Sequence, residues 1–420
     1  MKIYIEKLLA EIKNKPQVFF IGTCVFFVAT MGTSVKDVAS TGFALMFLSS
    51  LLLIRQWKTI WKKLSDNEKW LLLGFGLYAL SGVIAVINVQ DVQQYVKELE
   101  RYMRFLVAVP IYLLVKNYKA DVISYLYVGA IVSGPFLLLV ALQSYLENPN
   151  VPAQGYYHHI IFGGAAMLNV GVMLSILLTK KLNNLNKVII LFAMLCGLSA
   201  ALLSQSRGVW LVLPFYVFFT IYYSLKHSRI SAGGYVISLV LIAGVVLLSP
   251  LSEMIKERVG AGVKEVSAYY DDDQYITSVG TRLAMWSIAI DVWKQHPVVG
   301  SGPGDFDDIV RDLQNNGEYT GMDIHASTHN IYFQSLVNAG LIGFMAMLFA
   351  IFLMPLKVVG GAIDKNPAVS LLGVFFILLF ATLGFSESWT SRLPVVSVYI
   401  IYFIVIFSNL CASNNQSEDV

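Results

Sequence analysis

Residues 161–179 read IFGGAAMLNVGVMLSILLT. The run passes nineteen residues without a charge, and Asn169 is its one amide. At about 1.5 Å of rise per residue a helix of this length spans about 28 Å, close to the roughly 30 Å hydrocarbon core of a bilayer. Further apolar runs lie on both sides of it, at 17–33, 37–54, 70–89, 95–115, 122–145, 188–204, 208–225, 233–250, 330–356, 368–386 and 393–410. The predicted fold class is therefore an all-α integral membrane protein with about 12 transmembrane helices.

Composition agrees. Of 420 residues 56% are hydrophobic and only 14% charged, where a soluble domain is about a quarter charged. Mean hydropathy is +0.65. Such a chain has too few polar side chains to cover a water-facing surface, so lipid is its natural solvent. Membrane lipids are thus its expected surroundings, and a net charge of +3, with the basic residues clustered in short loops rather than on one face, is too small to argue for nucleic acid as a partner. Cys24, Cys196 and Cys411 sit in apolar runs without a CxxC partner and read as small buried hydrophobes. The first apolar run lacks a small-residue cleavage site and reads as a retained helix.

Basic residues orient the chain. Alternate connections hold Arg55, Lys58, Lys62, Lys63 and Lys69, then Lys116 and Lys119, Lys180, Lys181 and Lys187, Lys226 and Arg229, and Lys357 and Lys365. With Lys2, Lys7, Lys13 and Lys15 of the N-terminal tail, these mark the cytoplasmic side. Both termini are then cytoplasmic and the number of spans is even. The predicted organisation is helices 1–9 over 1–250, a loop domain over 251–328, helices 10–12 over 329–411, and a disordered cytoplasmic tail over 412–420. The long loop falls on the extracytoplasmic side. Within it, 252–270 has helical spacing, Asp271, Asp272 and Asp273 form an acidic break, and 281–295 reads as an amphipathic helix with Leu283, Trp286, Ile290 and Trp293 as its apolar residues. His296-Pro297 ends that helix. Gly300, Gly302 and Gly304 make a turn, and a short helix follows over 305–315.

Charged residues at the edge of a membrane span are costly and mark candidate sites. Four groups fall on the extracytoplasmic side. Arg207, in Ser206-Arg207-Gly208, sits at the lip of a hairpin between two spans, as a bidentate phosphate ligand or an interfacial anchor. Arg282 lies in the first turn of the loop's amphipathic helix, where a cation opposes the helix dipole and an anionic partner would offset the cost; a solvated surface arginine is the alternative. His325 and His329 are four residues apart where the loop re-enters the membrane, next to Asn330. They suit a general base better than a metal site, since Asp323 is the nearest carboxylate and no dense ligand set surrounds them. Lys97, Arg101 and Arg104 share one helical face at the start of the fourth span, as an ion-pair cluster with Glu98 and Glu100 or, facing inward, a diphosphate clamp. Glu387 and Arg392, in the last extracytoplasmic turn, form either an ion pair or part of the same site.

His329-Asn330, nine residues, then Gly340-Leu341-Ile342-Gly343 resembles the signature of the O-antigen ligase and polymerase superfamily. Ser206-Arg207-Gly208 resembles its arginine between two spans, Gly280-Thr281-Arg282 its loop arginine, and 296–304 the proline-glycine turn that precedes its histidine. The resemblance is specific over 204–343 and topological elsewhere. Its two glycines, one turn apart, are expected to allow close helix packing under the histidine.

The resemblance implies a GT-C-like glycosyltransferase of the bacterial inner membrane with its active site facing the periplasm. The donor would be a glycan on undecaprenyl diphosphate and the acceptor a sugar hydroxyl of lipid A-core. His329 would be the base, and Arg207 and Arg282 would hold the diphosphate. Arg101, Arg104, Lys97, Asn330, His325 and Arg392 are candidate substrate contacts. Arginines can stabilise the leaving diphosphate without a metal, so no metal and no cofactor are expected. An O-antigen polymerase, which extends one lipid-linked repeat with another, fits nearly as well. Protein O-oligosaccharyltransferases of the superfamily usually carry an extra soluble C-terminal region not seen here. A lipid-linked glycan flippase would instead place polar residues near the midplane of several spans and show repeated halves.

Overall fold

The computed structural model describes residues 15–118, 120–149, 151–227, 251–272 and 275–415. Among them all regular structure is helical. The helices are α1 (Pro16–Met31), α2 (Val38–Leu51), α3 (Trp57–Lys62), α4 (Asp66–Ile84), α5 (Val92–Asn117), α6 (Ile123–Glu147), α7 (His159–Thr179), α8 (Asn184–Leu203), α9 (Arg207–Trp210) and α10 (Leu213–Lys226). After them come α11 (Leu251–Asp272), α12 (Ser278–Gln295), α13 (Phe306–Asn315), α14 (Ile331–Met347), α15 (Met354–Ala362), α16 (Pro367–Leu383) and α17 (Leu393–Asn415).

Among the described residues seven helical segments are long and apolar enough to cross a membrane, and eight if α2 and the 54–62 segment, bent by 65°, count as one. α5 stands outside that group because Lys97, Glu98, Glu100, Arg101 and Arg104 crowd its first half. α1 and α16 are apolar but shorter. The expected span at 233–250 lies outside the described residues, as do Lys2, Lys7, Lys13, Lys119, Arg229, Asp273 and the segment 416–420.

α17 and α7 form the centre. Tyr399, Ile400, Ile401, Phe403, Ile404 and Phe407 of α17 are fully buried, as expected of a helix that is apolar all round. α8 and α10 sit outside, showing Val188, Phe192, Leu195 and Phe218, a face suited to lipid. The three cysteines are buried and unpaired. At the end of the bundle holding Lys116, the buried Glu68 closes a capping box with Ser65, accepts the Tyr112 hydroxyl at 2.8 Å and pairs with Lys116 at 2.6 Å. That network fastens α4 to α5 with its charge satisfied.

The loop domain has its own small core. Ala284, Met285, Ile288, Ala289 and Val292 of α12 pack with Phe306 and Val310 of α13, Met322 and Val337. This corrects the face expected for α12. Leu283, Trp286 and Trp293 are only half-buried and Ile290 is exposed. That is the face α12 lays against α14, whose Val337 shares this core. Asp305 ties the domain to the membrane bundle by accepting the amides of Gln90 at 3.0 Å and Asp91 at 3.2 Å.

The signature glycines act differently from the expected helix packing. α14 breaks at Ala339 and Gly340, where Gly340 takes φ +59°. The proline-glycine turn fills the break: the amide of Leu341 donates to the carbonyl of Pro297 at 2.9 Å, and that of Ser301 to Val337 at 2.8 Å. A Cβ on Gly340 would lie 2.4 Å from the Val298 carbonyl, and one on Gly300 2.4 Å from that of Val337. The two glycines let loop and broken helix interlock. A Cβ on Gly343 would lie 2.3 Å from that of Ala339, beside the same break, and only at ordinary contact distance, 3.4 Å, from Ser81 of α4.

Candidate active site

The end of the loop domain delivers His329 to the start of α14. The segment is not helical, so His325 and His329 meet through the loop rather than along a helix face. Their rings stand edge to face, with centroids 4.9 Å apart. His329 has φ +50°, a left-handed backbone that costs a non-glycine residue about 1–2 kcal/mol. Surrounding bonds hold it there. The Thr328 hydroxyl donates to the Asn330 carbonyl at 2.8 Å, the Asn330 amide to the Ser388 hydroxyl at 2.9 Å, and the Ile331 amide to the Gly384 carbonyl at 2.9 Å. Asn330 caps α14, its side-chain oxygen accepting the amides of Tyr332 and Phe333. The Trp286 indole donates to the Thr328 carbonyl at 3.1 Å, which joins α12 to the same strap.

Opposite lies the turn between α16 and α17. Trp389 is buried among Phe380 and Tyr399 and donates to the Phe380 carbonyl at 3.1 Å. This anchor sets Glu387, whose side chain is 1% exposed, 3.4 Å from His329 Nδ1 through Oε2 and 3.5 Å from Arg392 Nε through Oε1. Burial alone would raise the Glu387 pKa, but His329, Arg392 and His158 outweigh it and hold the carboxyl at about 2. The group is a fixed negative charge at any physiological pH.

Arg282 approaches from α12. Its helix begins at Ser278, three residues earlier than expected, so Arg282 lies beyond the first turn and the dipole works against it less. The helix N-terminus already holds an anion: Glu265 of α11 accepts the Val279 amide at 2.9 Å and Arg207 at 3.1 Å. Arg282 itself makes no ion pair among the described residues. Burial lowers its pKa; Glu387 opposes this, Arg207 adds to it and Glu265 opposes it.

His158, at the start of α7, is a member of the site that the sequence reading passed over. Burial lowers its pKa, and its ring senses the charges of Glu387, Arg392, His329 and Arg282. The signal was present, a histidine pair at the lip of a span on the side of His329. Burial likewise lowers His325, with His329 next to it and Asp323 opposing. Among the described residues no three His, Cys, Asp or Glu side chains converge as a metal set.

The α5 group divides. Arg104 donates to Ser40, Ser397 and the Leu393 carbonyl, pairs with Glu100 at 3.1 Å and lies over the Phe43 ring. It bolts α2, α5 and α17 together. Lys97 is exposed and without an ion pair among the described residues. Arg101 pairs with Glu98 and lines a small polar cavity with Ser335, Asn338, Thr390 and Ser391. The structure thus gathers His329, His325, Arg392, Arg282 and Arg207, with Glu387, Glu265 and His158 among them. Arg101 stands behind this group, and Arg104 and Lys97 stand apart.

A multi-span helical protein with a structured loop closed over histidines and arginines defines the class as a membrane protein with an active-site-like cluster at one end of its bundle. Residues 190–348 match the family model for O-antigen ligase, which supports the O-antigen ligase and polymerase superfamily. The match covers Arg207, Arg282 and His329 but ends before Glu387. A protein of Haemophilus influenzae, described as uncharacterized, is 24% identical over 298 residues, covering 69% of this chain and 73% of that protein. The family match supports an O-antigen ligase or polymerase type of function on a lipid-linked glycan.

Proposed function

We propose that the protein is an O-antigen ligase of the bacterial inner membrane. It transfers a polysaccharide from undecaprenyl diphosphate to a sugar hydroxyl of lipid A-core on the periplasmic face. The reading carries with it a GT-C-like arrangement of twelve spans, cytoplasmic termini, and a periplasmic domain over 251–328. The observation that carries it is that Arg282, a half-buried cation without an ion pair among the described residues, and a strained His329 both lie in the field of the buried Glu387. One offers charge to a leaving diphosphate and the other a base to an attacking hydroxyl.

In the proposed step the acceptor oxygen bonds to C1 of the donor sugar as its proton passes to His329. The bond from C1 to the diphosphate oxygen breaks, and its electron pair leaves with undecaprenyl diphosphate. Arg282 and Arg207 stabilise that charge by planar, two-pronged hydrogen bonds. No metal enters the step. The clustering of these groups at one end of the bundle favours an enzyme over a flippase, which needs access from both sides.

The test is glycan analysis of a deletion strain carrying the wild-type gene or His329→Ala. Wild type should restore long O-antigen. The variant should be made, fold and bind donor, yet lose transfer by about 10²–10⁴-fold, leaving undecaprenyl-linked polymer behind. A single repeat left on the core would assign the protein as a polymerase instead.

A further inference from the structure

The tie between His329 and Glu387 lies partly beyond the segment that matches the ligase family, since Glu387 follows residue 348. His329 Nδ1 is buried and has no hydrogen-bond partner among the described residues. The Glu387 carboxylate, 3.4 Å away, is the anion that faces it. Two adjacent residues therefore grip the histidine strap: Ser388 takes the Asn330 amide and Glu387 faces the imidazole. Arg392 occupies the other carboxylate oxygen, so Glu387 cannot swing away without breaking a second contact. The Trp389 anchor holds the turn from below.

We propose that Glu387 is the positioning residue for His329. Its carboxylate keeps the imidazole protonated on Nδ1 and turned inward, which leaves Nε2 as the free base. The inference rests on His329 being the base. An imidazole has two tautomers, and only one presents a lone pair at Nε2. A fixed carboxylate at Nδ1 selects that tautomer and stabilises the imidazolium formed when Nε2 takes the acceptor's proton. Glu387 stays ionised throughout and exchanges no proton. The other charged or titratable groups around the pair are His158 from α7, His325 and Asp323 from the strap, Arg282 from α12 and Arg392 from the same turn. Glu387 is the carboxylate among them within 4 Å of the His329 ring nitrogens.

The experiment has two readouts. Histidine-selective ¹⁵N NMR of the full-length protein in detergent reports the tautomer, with His329 assigned by the signal missing in His329→Ala. The neutral wild-type ring should carry its proton on Nδ1. The pH–rate profile of glycan transfer is then compared for wild type, Glu387→Gln and Glu387→Asp. Glu387→Gln removes the charge that favours imidazolium, so the acidic limb should move to lower pH while the plateau falls roughly 10²-fold or more. Glu387→Asp should recover part of both. A wild-type ring protonated on Nε2 overturns the proposal, and so does a Glu387→Gln profile of unchanged shape whose height follows the amount of folded protein. If wild type transfers no glycan the ligase reading fails, while the tautomer still decides the role of Glu387.

Discussion

The guanidinium of Arg207, at the hinge between two membrane helices, meets the carboxylate of Glu265 in the loop domain at 3.1 Å. Glu265 also takes the Val279 amide at the start of α12. On the proposed reading a carboxylate from the protein then stands where the diphosphate would bind. The proposed site holds an internal anion where the donor's charge would go.

That pairing separates a donor site from a latch. Arg207→Ala should weaken donor binding by about 10–100-fold, the loss of a charge-assisted hydrogen bond. Glu265→Gln keeps an acceptor for Val279 but drops the charge, so donor binding should hold or tighten. Binding of labelled lipid-linked glycan in detergent measures both. Equal weakening in the two variants would mean that the pair only latches the loop.

Arg104 is predicted to act through stability. Its contacts reach α2 and α17 as well as its own helix. Arg104→Ala should cost about 1.5–3 kcal/mol, seen as a lower unfolding temperature in detergent, while Lys97→Ala leaves that temperature unchanged. A fully stable Arg104→Ala protein that no longer binds donor would put Arg104 back into a diphosphate clamp.

Gly340→Ala should unlock the loop. The alanine would have to hold φ +59° with its Cβ 2.4 Å from the Val298 carbonyl; the backbone term alone is about 1–2 kcal/mol. Hydrogen exchange across 297–304 should quicken and transfer should fall. Gly360→Ala, whose Cβ meets nothing within 4 Å, is the control and should change neither. Unaltered exchange in Gly340→Ala would disprove the interlock.

Much of the protein was legible from local chemistry. An apolar run of bilayer length has to satisfy its backbone internally, so the helices at 161–179 and 393–410 follow from composition alone. Arg207 and His329 stood out because a charge or an imidazole at a span edge is expensive wherever the chain goes, and Arg282 because a cation near a helix start opposes the dipole. The buried face of α12 was not legible in this way: Ala284, Met285, Ile288, Ala289 and Val292 are inside because that face packs on α13 and α14, partners that no local run of sequence names.

What tertiary structure alone decided is partnership. His329 and Glu387 are 58 residues apart, as are Arg207 and Glu265, and no periodicity links them. Likewise, the glycines at 300 and 340 look like turn and packing residues until loop and helix are seen to interlock. Sequence determined which charged groups border apolar runs, because desolvation is a property of the local run. Which of them meet depends on how α7, α12, α14 and the turn after α16 pack, since an ion pair between residues so far apart in sequence forms only where packing brings opposite charges within a few ångströms.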